Sequence, residues 1–170
     1  VVYRARHAML RRPTAVKLVR PERVGESTLR RFEREVQLTA GLSHPNTVSV
    51  FDYGHTPDGV FYYAMEYLEG FTLDELVNAD GPQPPARTVH ILRQVLEALA
   101  EAHGIGLVHR DVKPGNIIVN DAGPIQRATL IDVGLIQSAH TDTVCCEEAT
   151  QAAMYMSPAL SVCSWPLRRR

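Results

Sequence analysis

The sequence predicts an α+β chain of two lobes, an antiparallel sheet with one helix followed by a mainly helical part. Three observations predict it. Short β-prone runs crowd the first 67 residues around one helical period, a long helical period fills 86–103, and a glycine-ended stretch at 66–70 separates the two regions. With 170 residues and 45% hydrophobic content the chain can bury a real core.

Taken in order, "TAVKLVR" (14–20) is a β-prone run, and residues 2–6 are its candidate hairpin partner. From 26 to 40, Leu29, Phe32, Val36 and Ala40 recur at helical spacing, and Gly41 ends the pattern. "TVSVFDYG" (47–54) and "VFYYAMEY" (60–67) read as strands joined by the turn "HTPDG". Thr72 followed by Glu75 is a capping box that opens a short helix, and "NADGPQPP" (78–85) reads as a loop. In the helix over 86–103, Val89, Leu92, Val95, Leu96 and Leu99 fall on one face, and Gly104 is the stop. Three short β-prone pieces follow at 107–108, 117–119 and 128–131. The resulting units are 1–66 and 67–170.

Charge is distributed unevenly. Residues 1–34 carry ten Arg and Lys against three Asp and Glu, whereas 35–166 carry five against sixteen. A basic part facing an acidic part suits an anionic ligand held between lobes. No nucleic-acid motif or aromatic interleaving accompanies the basic part, so nucleic acid is not an expected partner. Cys145, Cys146 and Cys163 lack metal-ligand spacing, and adjacent Cys145 and Cys146 would pair only with strain. A reduced, cytoplasmic chain is the plain reading. There is no signal peptide and no apolar run long enough to cross a membrane.

The lysines carry the first chemical signal. The chain has two, Lys17 and Lys113, against sixteen arginines, so these positions favour a compact ammonium over a planar fork. Lys17 lies in the apolar run "AVKLV", either snorkelling from an edge or aimed at an anion. Glu35, on the helix after that strand, is a candidate partner for its amine. Lys113 lies in "GLVHRDVKPGNIIVN" (106–120), where polar side chains cluster between apolar flanks, with Asp111 and Asn116 on either side of it. Asp132 follows the apolar "ATLI" and precedes a glycine-containing turn, where a carboxylate can face a metal. Two oxygen-bearing side chains and two ammonium groups suit Mg²⁺ and phosphates.

The ordered set "AVK", Glu35 in "RRFEREV", "HPN" (44–46), "HRDVKPGN" and "DVG" resembles bacterial serine/threonine protein kinases of the eukaryotic type. The resemblance implies a two-lobed protein-kinase-like fold, ATP and Mg²⁺ as cofactors, and a protein Ser or Thr hydroxyl as acceptor. It also implies roles. Lys17 holds the α- and β-phosphates and pairs with Glu35; Asp111 orients the hydroxyl and accepts its proton; Lys113 steadies the transferred phosphoryl group. Asn116 and Asp132 bind Mg²⁺, Met65 resembles the gatekeeper, and Glu66 to Leu68 form the hinge that meets adenine. Arg110 resembles the arginine that reads an activation-segment phosphate, with Thr141, Thr143 and Thr150 as candidate phosphosites. His109 is a structural histidine, and Asp121 is a turn residue.

The chain also departs from that pattern. It opens at "VVYRAR", where the family has a G-x-G-x-x-G loop immediately before. Val133 stands where a phenylalanine is usual. "ATQAAMYMSPAL" (149–160) differs from the family's G-T-x-x-Y-M-[AS]-P-E in its threonine spacing and in Ala159. The expectation is a kinase domain truncated at both ends, with part of the apolar face of the 86–103 helix left exposed. Two other classes of function stand beside the enzyme: an impaired kinase-like module that binds nucleotide or protein, and a small-molecule kinase. Lys113 and "YMSP" disfavour the last.

Overall fold

The computed structural model describes residues 2–19, 26–120 and 126–132. In chain order the elements are β1 (Val2–Arg6), β2 (Pro13–Val19), α1 (Glu26–Ala40), β3 (Val50–His55), β4 (Phe61–Glu66) and β5 (Phe71–Thr72). Then come α2 (Leu73–Asp80), α3 (Pro85–Gly104), a 3-10 turn (Pro114–Asn116), β6 (Ile117–Asn120) and β7 (Arg127–Leu130). Two antiparallel sheets result, a four-stranded one in the order β1-β2-β4-β3 and a three-stranded one in the order β5-β6-β7.

β4 is the centre of the first sheet because its alternation is strict. Phe61, Tyr63 and Met65 point inward and are buried, with half-buried residues between them. This period of two is what a strand with one packed face requires. The inward residues join Ala15, Val36 and Val48 in one apolar cluster. Across from β4, β3 carries a bulge: Val50 pairs with Met65 and Asp52 with Ala64, so Phe51 is the extra residue. The Arg12 guanidinium lies 3.4 Å from the centre of the Phe51 ring.

α1 has the bounds its spacing predicts, but its buried face is turned. Glu35, Val36 and Thr39 are buried while Ala40 is exposed. The side chains of Leu29 and Phe32 lie outside the described set. The predicted strand over 47–54 begins only at Val50. Thr47 forms a parallel bridge with Leu130 instead, and Val48 donates its amide to the Leu130 carbonyl at 3.0 Å. The backbone of 46–48 is therefore tied to the second sheet while the Val48 side chain packs in the first cluster, a long-range pairing that local β propensity cannot reveal.

The second core forms where α2, α3 and the three-stranded sheet meet, around Leu73, Ile91, Leu99, Ile117 and Leu130. Each such side chain contributes about 1.5–3 kcal/mol on burial. The Thr72–Glu75 capping box is present, with Thr72 Oγ1 accepting the Glu75 amide and the Glu75 carboxylate accepting the Thr72 amide. α2 runs on to Asp80, so the expected loop is shorter at its start: Asn78 and Ala79 extend the helix that the box nucleates. Residues 107–108 form no strand; Leu107 and Val108 instead pack with Leu42 and Ala102.

Gly70 brings the connector between the sheets against β6. A Cβ there would lie 2.4 Å from the Val119 carbonyl oxygen, and its φ is +143°. Only glycine tolerates both. In α3 the core takes Thr88, Ile91, Gln94, Val95, Ala98, Leu99 and Ala102. Val89 and Leu96, placed by their spacing on the core face, are 63% and 40% exposed. With Leu92 and Ala100 they line a shallow apolar groove, so part of the helix face is open as expected. The residues following Asp132, with Val133, the three threonines, the cysteines and the 149–160 motif, lie outside the described residues, as does Asp121.

Candidate active site

The two sheets face each other across a set of side chains drawn from β2, β4, the 3-10 turn and the end of β7. Lys17 sits in β2, opposite Val2 on one side and Tyr63 on the other. It is not on an edge strand, so its ammonium cannot simply snorkel. It forms an ion pair with Asp132 Oδ1, and both side chains are largely shielded. In a part-buried place opposite charges on facing elements are weakly screened. Among the described contacts the partner of the Lys17 ammonium is Asp132. Glu35 itself is buried on α1.

Asp132 follows β7 with φ at 51°, in the left-handed region. Aspartate enters that region more readily than most residues, and such positions gather at functional sites. Its Oδ1 also accepts the Tyr63 hydroxyl at 2.9 Å. Burial, then the charge and hydrogen bond of Asp132, push the Tyr63 phenol far above its usual range, so it remains a donor. Oδ2 of Asp132 has no partner among the described residues.

A second cluster forms on the turn from His109 to Asn116. Asn116, buried, donates its amide to the Asp111 carbonyl at 2.8 Å and to Asp111 Oδ2 at 3.0 Å. Lys113 Nζ donates to the same Oδ2 at 2.6 Å. Partial burial raises the Asp111 pKa, but the hydrogen bonds from Lys113 and Asn116 and the charge of Lys113 outweigh it and hold it below the ordinary aspartate value. Asp111 Oδ1 has no partner among the described residues. His109 is 1% exposed and braces this turn. Its Nδ1 accepts the Asp111 amide at 3.3 Å, which leaves the proton on Nε2, 3.3 Å from the Ile131 carbonyl. Arg110 between them has φ at 59°.

One backbone bond links the clusters: the Ile131 amide donates to the Asn116 carbonyl at 2.9 Å. It fixes the residue before Asp132 against Asn116. The donors near that junction, Asp132 Oδ2 and Asn116 Oδ1, are hard oxygens of the kind Mg²⁺ takes. No group of three or more His, Cys, Asp or Glu side chains forms a metal cage among the described residues. Two such oxygens are of the number and kind that suit a Mg²⁺ ion taking its remaining ligands from phosphates and water.

At the connector, Met65 is buried and Glu66 and Leu68 are half-buried. A cleft of about 300 Å³ opens there, between Glu66, Leu68 and Glu69 on one side and Ile118 and Thr129 on the other. All the predicted site residues are thus described. Lys17 and Asp132 meet directly; Asp111, Lys113 and Asn116 meet on one carboxylate; Met65, Glu66 and Leu68 lie at the connector. Sequence reasoning missed Tyr63, although its place two residues before Met65 on a strand already puts the two on one face.

The protein kinase domain family model matches residues 1–161. The chain is similar to serine/threonine-protein kinase PrkC of Bacillus subtilis, 36% identical over 159 residues that cover 92% of this chain and 24% of that protein. It is similar to serine/threonine-protein kinase pkn3 of Myxococcus xanthus, 42% identical over 119 residues that cover 69% of this chain and 22% of that protein. A crystal structure of the Mycobacterium tuberculosis PknI kinase domain superposes with a TM-score of 0.70 at 31% identity, over 80% of this chain and 55% of that one. The chain spans about a quarter of the length of these two curated relatives. Its motifs, its two facing sheets and these matches agree: the chain belongs to the protein kinase domain family, in the branch of bacterial serine/threonine kinases.

Proposed function

We propose that the chain transfers the γ-phosphoryl group of ATP to the hydroxyl of a protein Ser or Thr. The observation that carries this reading is the convergence of Lys113 and Asn116 on one Asp111 oxygen, while the other has no partner among the described residues. A carboxylate held in this way is oriented and deprotonated, as a proton acceptor for an incoming hydroxyl must be. Lys113, beside it, carries the charge that steadies the transferred group.

Lys17 is the residue to hold the α- and β-phosphates, with Glu35 on α1 behind it. Asn116 Oδ1 and Asp132 Oδ2 are the protein's ligands for Mg²⁺. When bound, the ion neutralises charge on the phosphate oxygens. Met65, Glu66 and Leu68 border the adenine site, and residues 1–66 and 67–170 form the two lobes around it. The acceptor is a protein rather than nucleic acid, for which the basic part carries no recognisable motif. The cysteine spacing supports a reduced, cytoplasmic setting for this segment.

The test is transfer from labelled ATP to a generic Ser/Thr protein substrate, comparing wild type with Asp111→Asn. The variant should lose transfer entirely and keep ATP affinity within about twofold, because Asp111 acts on the hydroxyl and not on the nucleotide. Surviving transfer would remove Asp111 from the role of base.

A further inference from the structure

Tyr63 belongs to none of the sequence motifs and has no role in the reading above. Its ring is buried in the apolar cluster with Ala15, Phe61 and Met65, and its backbone is paired on both sides, with Lys17 of β2 and Tyr53 of β3. Its hydroxyl nevertheless reaches out of that cluster to Asp132 Oδ1, at 2.9 Å. The same oxygen takes the Lys17 ammonium. Two donors from adjacent strands therefore converge on one oxygen of the carboxylate, and Oδ2 has no partner among the described residues.

The donors differ in kind. Lys17 reaches Asp132 on a flexible four-carbon stem, and its three donors can be redistributed toward phosphates when a nucleotide binds, which weakens its hold on Asp132. Tyr63 has a rigid ring fixed in a central strand. Asp132, for its part, follows the end of a strand in a left-handed conformation, so no regular backbone pattern sets the direction of its side chain.

We propose that Tyr63 is a positioning residue for the metal site: its hydroxyl holds Asp132 Oδ1 when Lys17 turns to the phosphates, and so keeps Oδ2 directed at Mg²⁺. This rests on the phosphoryl-transfer reading and deepens it. Tyr63 touches neither metal nor nucleotide and acts only through Asp132. Without the hydroxyl the carboxylate can rotate, and metal binding then has to order it.

The test uses the whole chain and follows its thermal midpoint at fixed ATP while MgCl₂ is raised from a chelated, metal-free start. The readout is the Mg²⁺ concentration that gives half of the metal-dependent rise, since a ligand that binds the folded state raises the midpoint by mass action. Wild type is compared with Tyr63→Phe and Tyr63→Leu. Both variants should need about tenfold more Mg²⁺, the effect of one lost hydrogen bond to a charged group. Their response to metal-free ATP should match wild type within about twofold. Unchanged half-points would overturn the proposal. A shift in Tyr63→Leu alone would trace to packing and would also overturn it, as would loss of a cooperative transition in both variants. If wild type itself shows no Mg²⁺-dependent rise, the phosphoryl-transfer reading fails first and this proposal with it.

Discussion

The side-chain amide of Asn116 grips Asp111 at two points, the backbone carbonyl at 2.8 Å and Oδ2 at 3.0 Å. Asn116 is therefore both a candidate metal ligand and the residue that orients the base. Asn116→Ala should lower the transfer rate by about a hundredfold or more. It should also weaken the Mg²⁺ dependence of nucleotide binding. Steady-state rates at several Mg²⁺ concentrations check both effects.

The depressed pKa of Asp111 sets a direction for pH dependence. The carboxylate form is the working one, so the acid limb of kcat/KM should lie below the ordinary aspartate value. Lys113 and Asn116 cause the depression, so Lys113→Met should move that limb to higher pH. The same sign holds for stability: a carboxylate with a lowered folded-state pKa stabilises above its unfolded value, and the effect is lost as pH falls through the folded value. Asp111 is more than half exposed, so its stability share is small and the rate profile is the better measurement.

Lys17 meets Asp132 in a part-buried pair. Lys17→Ala should lower stability by roughly 1 kcal/mol by removing that partner. Lys17→Arg should keep most of the stability, because a guanidinium also pairs with a carboxylate. It should still lower transfer by at least about tenfold, since a planar fork does not replace a point charge aimed at phosphates. Melting curves and transfer rates, measured on both variants, separate the two contributions.

Gly70 and Gly59 form an internal comparison. Both have positive φ, but a Cβ at Gly59 meets nothing within 4 Å, whereas one at Gly70 strikes the Val119 carbonyl. Gly59→Ala should cost only the backbone strain, about 1 kcal/mol. Gly70→Ala should cost about 2 kcal/mol or more and displace the connector from β6. Urea unfolding of the two variants side by side checks the difference.

The parts of the fold that sequence made legible are those governed by local rules. The alternation of Phe61, Tyr63 and Met65, the Thr72–Glu75 box and the glycine stop after α1 each announce their element within a few residues. Long-range pairing was not legible. Residues 47–49 have strand-like composition, yet the ladder with β4 begins only at Val50 because the backbone of 46–48 and the Asn46 side chain find partners at Leu130 and Ala128. The two-residue β5 was invisible because its only reason to exist is β6. In the site, motif spacing marked Lys17, Asp111, Lys113, Asn116 and Asp132. It did not show that the Lys17 ammonium would meet Asp132, nor that Tyr63 would join them, because both depend on how two distant strands face each other.

The bridge from Thr47 to Leu130 has a mechanical consequence. The upper and lower sheets are joined by the connector over 67–70 and, at a separate place, by the hydrogen bonds of 46–48 to β7. Glu101 adds to the second attachment by accepting the amides of Ser43 and His44 at 3.2 and 3.0 Å. These two are the backbone attachments among the described residues, with the Lys17 and Tyr63 contacts to Asp132 as side-chain links beside them. Such an arrangement favours opening and closing of the cleft by rocking about the line through the two attachments. Sliding one sheet across the other would first have to unfasten β7, the strand that carries Asp132.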